Sequence, residues 1–166
     1  MKAPNIKDYD LTFTSLTERF STDYIVVHHT GNPQDDDLSA QQIHWSHQGL
    51  GWSGIGYHYV IRKNGQVEQG RPEDCIGSHA YGENWHSIGV HVCGNFEEAE
   101  PTEYQIESLA YLLGWLCDKY GLDPATDIVA HRDLMPTACC GENLYNMLDT
   151  VRGKARWYME NYKKGD

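Results

Sequence analysis

Two periodicities alternate along the chain. Tyr24-Ile25-Val26-Val27 is an unbroken apolar run, largely β-branched, that leads into His28-His29. It then meets Gly31-Asn32-Pro33 and the acidic Asp35-Asp36-Asp37, the pattern of a buried strand ending in a loop. Leu38 to Gln48 fits a helix with Asp37 near its start, and the glycines at 49, 51, 54 and 56 then forbid a long regular element, so a shaped loop follows. Tyr57 to Arg62 predicts a strand that the Asn64-Gly65 turn returns through Gln66-Val67-Glu68, a hairpin. Ser87 to Cys93 predicts another strand. Thr102 to Tyr120 predicts a helix, with Ile106, Leu109, Ala110, Leu113 and Leu116 at helical spacing, a Thr102/Gln105 capping box and Gly121 at the close. Asp127 to Ala130 predicts a short strand running into His131, and Glu142 to about Tyr162 a last helix with an internal Gly153. Strands alternating with helices predict an α/β fold, a central mixed sheet flanked by helices, as one domain over residues 1–166.

Composition narrows the partners. A net charge of −11 would repel a phosphate backbone, so no nucleic-acid partner is expected. No apolar run approaches the roughly 20 residues of a membrane span, and Met1 to Asp10 has no apolar segment of the signal-peptide kind. The expectation is no membrane partner and, if the protein leaves the cell, another route of release. Cys75, Cys93, Cys117, Cys139 and Cys140 are too few to staple a chain of 166 residues. If one of them serves a metal, the other four can pair in three ways or remain free thiols.

Candidate chemistry sits at two predicted strand ends. His28-His29 closes the first strand; Ala130-His131-Arg132-Asp133 closes the last, with Cys139 eight residues beyond His131. Imidazole and thiolate suit Zn²⁺, and three such ligands with a fourth position open to water make a catalytic site. His28 and His29, as neighbours on a strand, face opposite ways, so one of the two reaches a shared metal, and periodicity does not choose between them. His44 and His47 fall three apart on a predicted helix, a spacing that can share a metal but more commonly marks a solvated face.

Four segments together resemble a family. Tyr-Ile-Val-Val-His-His-Thr at 24–30, Gly-Ile-Gly-Tyr-His-Tyr-Val-Ile at 54–61, Ser-Ile-Gly-Val at 87–90, and His-Arg-Asp with Pro-Thr-Ala-Cys at 131–139 are similar, in order and spacing, to the type 2 N-acetylmuramoyl-L-alanine amidases. That family includes phage amidase lysozymes, bacterial autolysins and animal peptidoglycan recognition proteins. The resemblance spans about residues 24–141. It implies hydrolysis of the amide between N-acetylmuramic acid and L-alanine in bacterial peptidoglycan, with one Zn²⁺ held by His28, His131 and Cys139, and with His29 structural. It also implies catalytic positions at Tyr57 and Thr137.

Two departures stand out. Some relatives carry glutamate in the strand after Ser-Ile-Gly-Val, where this chain has His91, so a glutamate base is not supported. Cys140 replaces the proline that commonly follows the ligand cysteine. Trp52, His79, Asn84 and Trp85 lie in loop-like segments that can line a groove, aromatics stacking on sugar and amides bonding to peptide. Two rival functions remain at this level: a cysteine hydrolase using Cys139 and His131, and a noncatalytic peptidoglycan sensor of the same fold. The place of action is the cell wall, reached either by cytoplasmic accumulation and release, as in a phage endolysin, or by secretion.

Overall fold

The apolar run at 24–27 forms the interior of a sheet. In the computed structural model, which describes residues 1–31 and 34–163, strand β2 (Tyr24–His29) pairs in parallel with β5 (Ser87–Val92) on one side and β6 (Ile128–Ala130) on the other. A strand flanked on both sides and covered on both faces must be apolar throughout, and Ile25, Val26 and Val27 are fully buried. β3 (Tyr59–Ile61) lies parallel to β5 and turns antiparallel into β4 (Val67–Gln69), the expected hairpin. A two-residue β1 (Ile6–Lys7), which no periodicity announces, adds in parallel to β4. The order is β1-β4-β3-β5-β2-β6, a mixed sheet as expected. Of the loop expected after His29, Asn32 and Pro33 lie outside the described residues.

Helices cover both faces. α1 (Ala40–Gly49) sits over a small apolar cluster of Ala40, Ile43, Ile55, Val60 and Cys93. Its cap is Ser39, in a capping box with Gln42, rather than Asp37. Asp37 instead accepts from Arg62 Nε at 3.1 Å and from the Lys63 N–H at 2.9 Å, bracing the hairpin. On the other face, α2 (Glu103–Tyr120) carries the predicted Thr102/Gln105 box and ends at Gly121 with φ +66°. Its buried stripe joins Ile25, Val27, Ile88 and Val90 in the main core. Short α3 (Pro124–Asp127) precedes β6, and α4 (His131–Leu134) follows it directly.

The helix expected from Glu142 to Tyr162 is broken. α5 (Glu142–Tyr145) is tied to the loop after β5, where Asn143 donates from its N–H to Phe96 O (2.9 Å) and from Nδ2 to Ala99 O (3.0 Å). α6 (Leu148–Asn161) starts afresh so that Leu148, Val151 and Ala155 pack in the main core beside α2. These tertiary bonds outweigh helical continuity. All five cysteines are free, and among the described residues no helix is long and apolar enough to cross a membrane.

One half-buried carboxylate braces the sheet against α2. Glu73 accepts from Tyr59 Oη at 2.5 Å, from Lys119 Nζ at 2.6 Å and from Tyr120 Oη. Burial alone would raise its pKa, but these three donors hold it below its ordinary 4.5. A depressed folded pKa contributes stability that is present above the unfolded value and lost as pH falls through the folded one. Glu73→Gln is therefore expected to cost roughly 2 kcal/mol at neutral pH. The difference from wild type should shrink below about pH 4.5, as read from urea denaturation at a series of pH values.

Candidate metal centre and substrate groove

Sheet register assembles the donors. The pairing of Val27 with Ala130 brings the next residues, His28 and His131, level at the carboxyl ends of their strands. There the rings lie 4.6 Å apart, centroid to centroid. Beyond α4 the chain folds back, the Arg132 N–H donating to Cys139 O at 2.7 Å, and this returns the thiol to the same point. Ligand atoms of His28, His131 and Cys139 all lie within 4.8 Å of one another, the one such group of three or more candidate ligands among the described residues.

The alternation expected for the histidine pair is observed. His29 turns to the main core, stacks on Phe96 and accepts from the Phe96 N–H through Nδ1 at 3.1 Å. His28 turns to the opposite face and is 1% exposed. Its Nδ1 faces Cys139 Sγ at 3.7 Å and its Nε2 faces His79 Nδ1 at 3.0 Å. The 3.7 Å separation suits a shared ion, since nitrogen and sulfur about 2.1 and 2.3 Å from one tetrahedral centre stand roughly 3.6 Å apart.

Burial holds the imidazoles of His28 and His79 far below the ordinary histidine range, and neighbouring rings reinforce it. His131 is lowered by burial too. Burial pushes the Cys139 thiol up to about 12, against a hydrogen bond from the His29 N–H. Two neutral imidazoles and a thiol that ionises only beside a cation form a nitrogen and sulfur donor set that fits Zn²⁺ and not a hard cation such as Mg²⁺ or Ca²⁺.

Around this centre, the Tyr57 ring stands 5.1 Å from that of His28 and 4.6 Å from that of His91. Burial, then Cys139, raises the Tyr57 phenol well above its usual value, so its hydroxyl stays protonated. His91 contacts Thr30 Oγ1 through Nε2 at 3.1 Å, while its Nδ1 is buried and has no hydrogen-bond partner among the described residues. Thr137 is exposed on the loop, its Oγ1 accepting from the Cys139 N–H at 3.3 Å.

A groove of 640 Å³ opens beside the centre, lined among others by Trp52, Arg71, His79, Asn84, His131 and Met135. Of the four residues expected there, Trp52, His79 and Asn84 are brought together. Trp85 instead stacks on His86 at 4.0 Å and is not part of the lining. Arg71 and Met135 join without any signal in the sequence. Arg71 donates to three backbone carbonyls, those of Ile55, Ile76 and Gly54. Met135 Sδ lies 3.0 Å from His131 Nε2. The pair His44 and His47 is not a solvated helix face: Nδ1 of each accepts a backbone N–H at 3.0 Å, from Ile55 and Gly56 respectively, shaping the glycine-rich loop that carries Tyr57.

Two imidazoles and a thiol thus converge at the strand ends of a mixed α/β sheet, beside the groove. The chain belongs to the N-acetylmuramoyl-L-alanine amidase family, whose model matches residues 18–142. It is 37% identical over 127 residues to the endolysin of Escherichia phage T7, covering 74% of this chain and 82% of that protein. To the endolysin of Enterobacteria phage K11 it is 33% identical over 137 residues, covering 81% and 91%. The N-acetylmuramoyl-L-alanine amidase LysC from Clostridium intestinale URNW superposes with a TM-score of 0.84 at 37% identity, covering 93% of this chain and 99% of that one.

Proposed function

We propose that the protein is a zinc-dependent amidase that hydrolyses the bond between the lactyl group of N-acetylmuramic acid and the L-alanine of the stem peptide in bacterial peptidoglycan. The observation that carries this reading is the convergence of His28, His131 and Cys139 within 4.8 Å beside the groove. When bound there, zinc supplies a Lewis acid for the amide carbonyl and lowers the pKa of water towards about 7.

The chain's own residues supply the rest. Tyr57 has a protonated hydroxyl that donates to the oxygen on which negative charge develops. Thr137, whose oxygen already accepts from Cys139, retains its own proton for a second donation. Asn84 spends its Oδ1 on the N–H groups of His79 and Ala80, at 2.9 Å each, which leaves Nδ2 to donate to a peptide carbonyl. Trp52 offers an exposed indole face at the groove for a sugar ring. The endolysin relatives support a lytic role at the cell wall.

The donor set speaks against the two rivals. A cysteine hydrolase using Cys139 and His131 needs a thiolate beside an imidazolium, whereas here burial opposes ionisation of Cys139 and protonation of His131 alike. A sensor needs only the groove and would have no use for three converged ligands and a buried phenol. Mass spectrometry of digested peptidoglycan is expected to show peptides with a free N-terminal L-alanine and glycan with intact lactyl groups. Cleavage within the glycan or the peptide would sink the bond assignment. Activity that persists in protein shown by elemental analysis to be metal-free would sink the zinc.

A further inference from the structure

His79 reads from the sequence as a substrate contact, yet both of its ring nitrogens are already engaged inside the protein. Nδ1 lies 3.0 Å from His28 Nε2, and Nε2 lies 3.4 Å from Ser87 Oγ. The next link sets the polarity of the chain. Ser87 Oγ is 2.7 Å from the Glu83 carbonyl oxygen, which can only accept, so the single hydroxyl proton of Ser87 goes there. Ser87 Oγ must then accept from His79, which puts the His79 proton on Nε2 and leaves Nδ1 as the acceptor. His28 consequently donates from Nε2, and its remaining lone pair is on Nδ1, the atom that faces Cys139 Sγ at 3.7 Å.

The pocket around His79 is built to one shape. A Cβ on Gly89 would lie 2.4 Å from His79 Cγ, and one on Gly77 would lie 2.8 Å from its Cδ2. His58 closes a third side with its ring edge-on to His79, and is itself fixed by the Gly89 N–H donating to its Nδ1 at 3.0 Å. Asn84 Oδ1 holds the His79 backbone N–H.

We propose that His79 is a positioning residue for the metal centre: by a hydrogen-bond chain from the Glu83 carbonyl through Ser87, it fixes the ring and tautomer of His28 so that Nδ1 is the ligand atom. The inference rests on the zinc reading above. Metal-bound imidazoles generally need such an outer partner, and its loss commonly weakens metal binding by about 10- to 100-fold.

The test compares zinc affinity, by competition with a chromophoric chelator, and the visible absorption of the Co²⁺-substituted protein, across four variants. His79→Ala is expected to weaken zinc binding by about 10- to 100-fold and to alter the cobalt spectrum. His79→Asn, whose Oδ1 takes the place of Nδ1 as acceptor, should recover most of both. Gly89→Ala crowds the His79 ring without touching any ligand and should behave like His79→Ala. Ser87→Ala cuts the anchor with little change of bulk and should move affinity in the same direction by less; it carries the test if His79→Ala does not melt cooperatively. Wild-type zinc affinity and cobalt spectrum in His79→Ala, with only KM raised, would overturn the proposal and return His79 to the substrate contacts. Wild-type protein that takes up no zinc would instead overturn the metal reading itself, an outcome distinguishable from losses confined to the variants.

Discussion

Cys139→Ser is expected to lose zinc and hydrolysis together, while Cys140→Ser keeps both and loses only stability. The two sulfurs are adjacent in sequence but differently placed. Cys139 Sγ faces His28 Nδ1 across 3.7 Å, whereas Cys140 is wholly buried in the main apolar core. An alcohol is a far poorer zinc ligand than a thiolate, so Cys139→Ser removes one of three protein ligands and leaves two imidazoles. If zinc supplies roughly 4 kcal/mol or more of transition-state stabilisation, the rate falls by at least about 10³-fold. Cys140→Ser puts a hydroxyl where no water reaches, at a cost of roughly 1–3 kcal/mol. Elemental analysis, hydrolysis of purified peptidoglycan and thermal melting, run on both variants side by side, separate the effects. The reverse pattern would move the ligand by one residue, and zinc retained in both would return Cys139 to a structural role.

Much of the sheet is legible in the chain because its interior strands are covered on both faces. Tyr24–Val27 had to be apolar without alternation, and Asn64-Gly65 had to be a tight turn. Helix α2 is legible for a different reason: its apolar stripe, its capping box and its terminal glycine all point the same way. Elements decided by distant partners are not legible. The Asp35-Asp36-Asp37 run promises a helix cap, but the Arg62 guanidinium draws Asp37 away and Ser39 takes the position. The pattern from Glu142 onward is helical throughout, and only the bonds from Asn143 to Phe96 and Ala99 show why it is cut.

The candidate metal centre follows the same division. Candidate ligand chemistry and strand-end positions are written in the sequence; period-two alternation says only that His28 and His29 differ, and the preference for His28 comes from the family resemblance alone. Register shows how the two rings part, by setting Ala130 beside Val27 and Phe96 over His29. The groove is the least legible part. His79 looks like a lining residue and does reach the lining, yet its nitrogens point to His28 and Ser87. Arg71, which nothing in the sequence singles out, is buried on three carbonyls.

Tyr57→Phe should keep the fold and the zinc and lose about 10²- to 10³-fold in kcat, the scale of one lost oxyanion donor. The ring is held by its surroundings rather than by its hydroxyl: it leans on His28, His47 and His91, and the Tyr57 carbonyl accepts from the Arg71 N–H at 2.8 Å. Among the described residues the hydroxyl itself has no protein group as a hydrogen-bond partner, so deleting it breaks nothing that stabilises the fold. Burial, with Cys139 adding to it, keeps the phenol protonated across the neutral range, which makes the group a donor to developing charge rather than a base. An interaction made only in the transition state should lower kcat and kcat/KM equally and leave KM alone. Steady-state kinetics on a soluble muropeptide, with zinc content and melting temperature measured on the same preparation, give the three readouts needed. Wild-type turnover by the variant would remove Tyr57 from the chemistry, and loss of zinc alongside activity would make it a support of the metal centre instead.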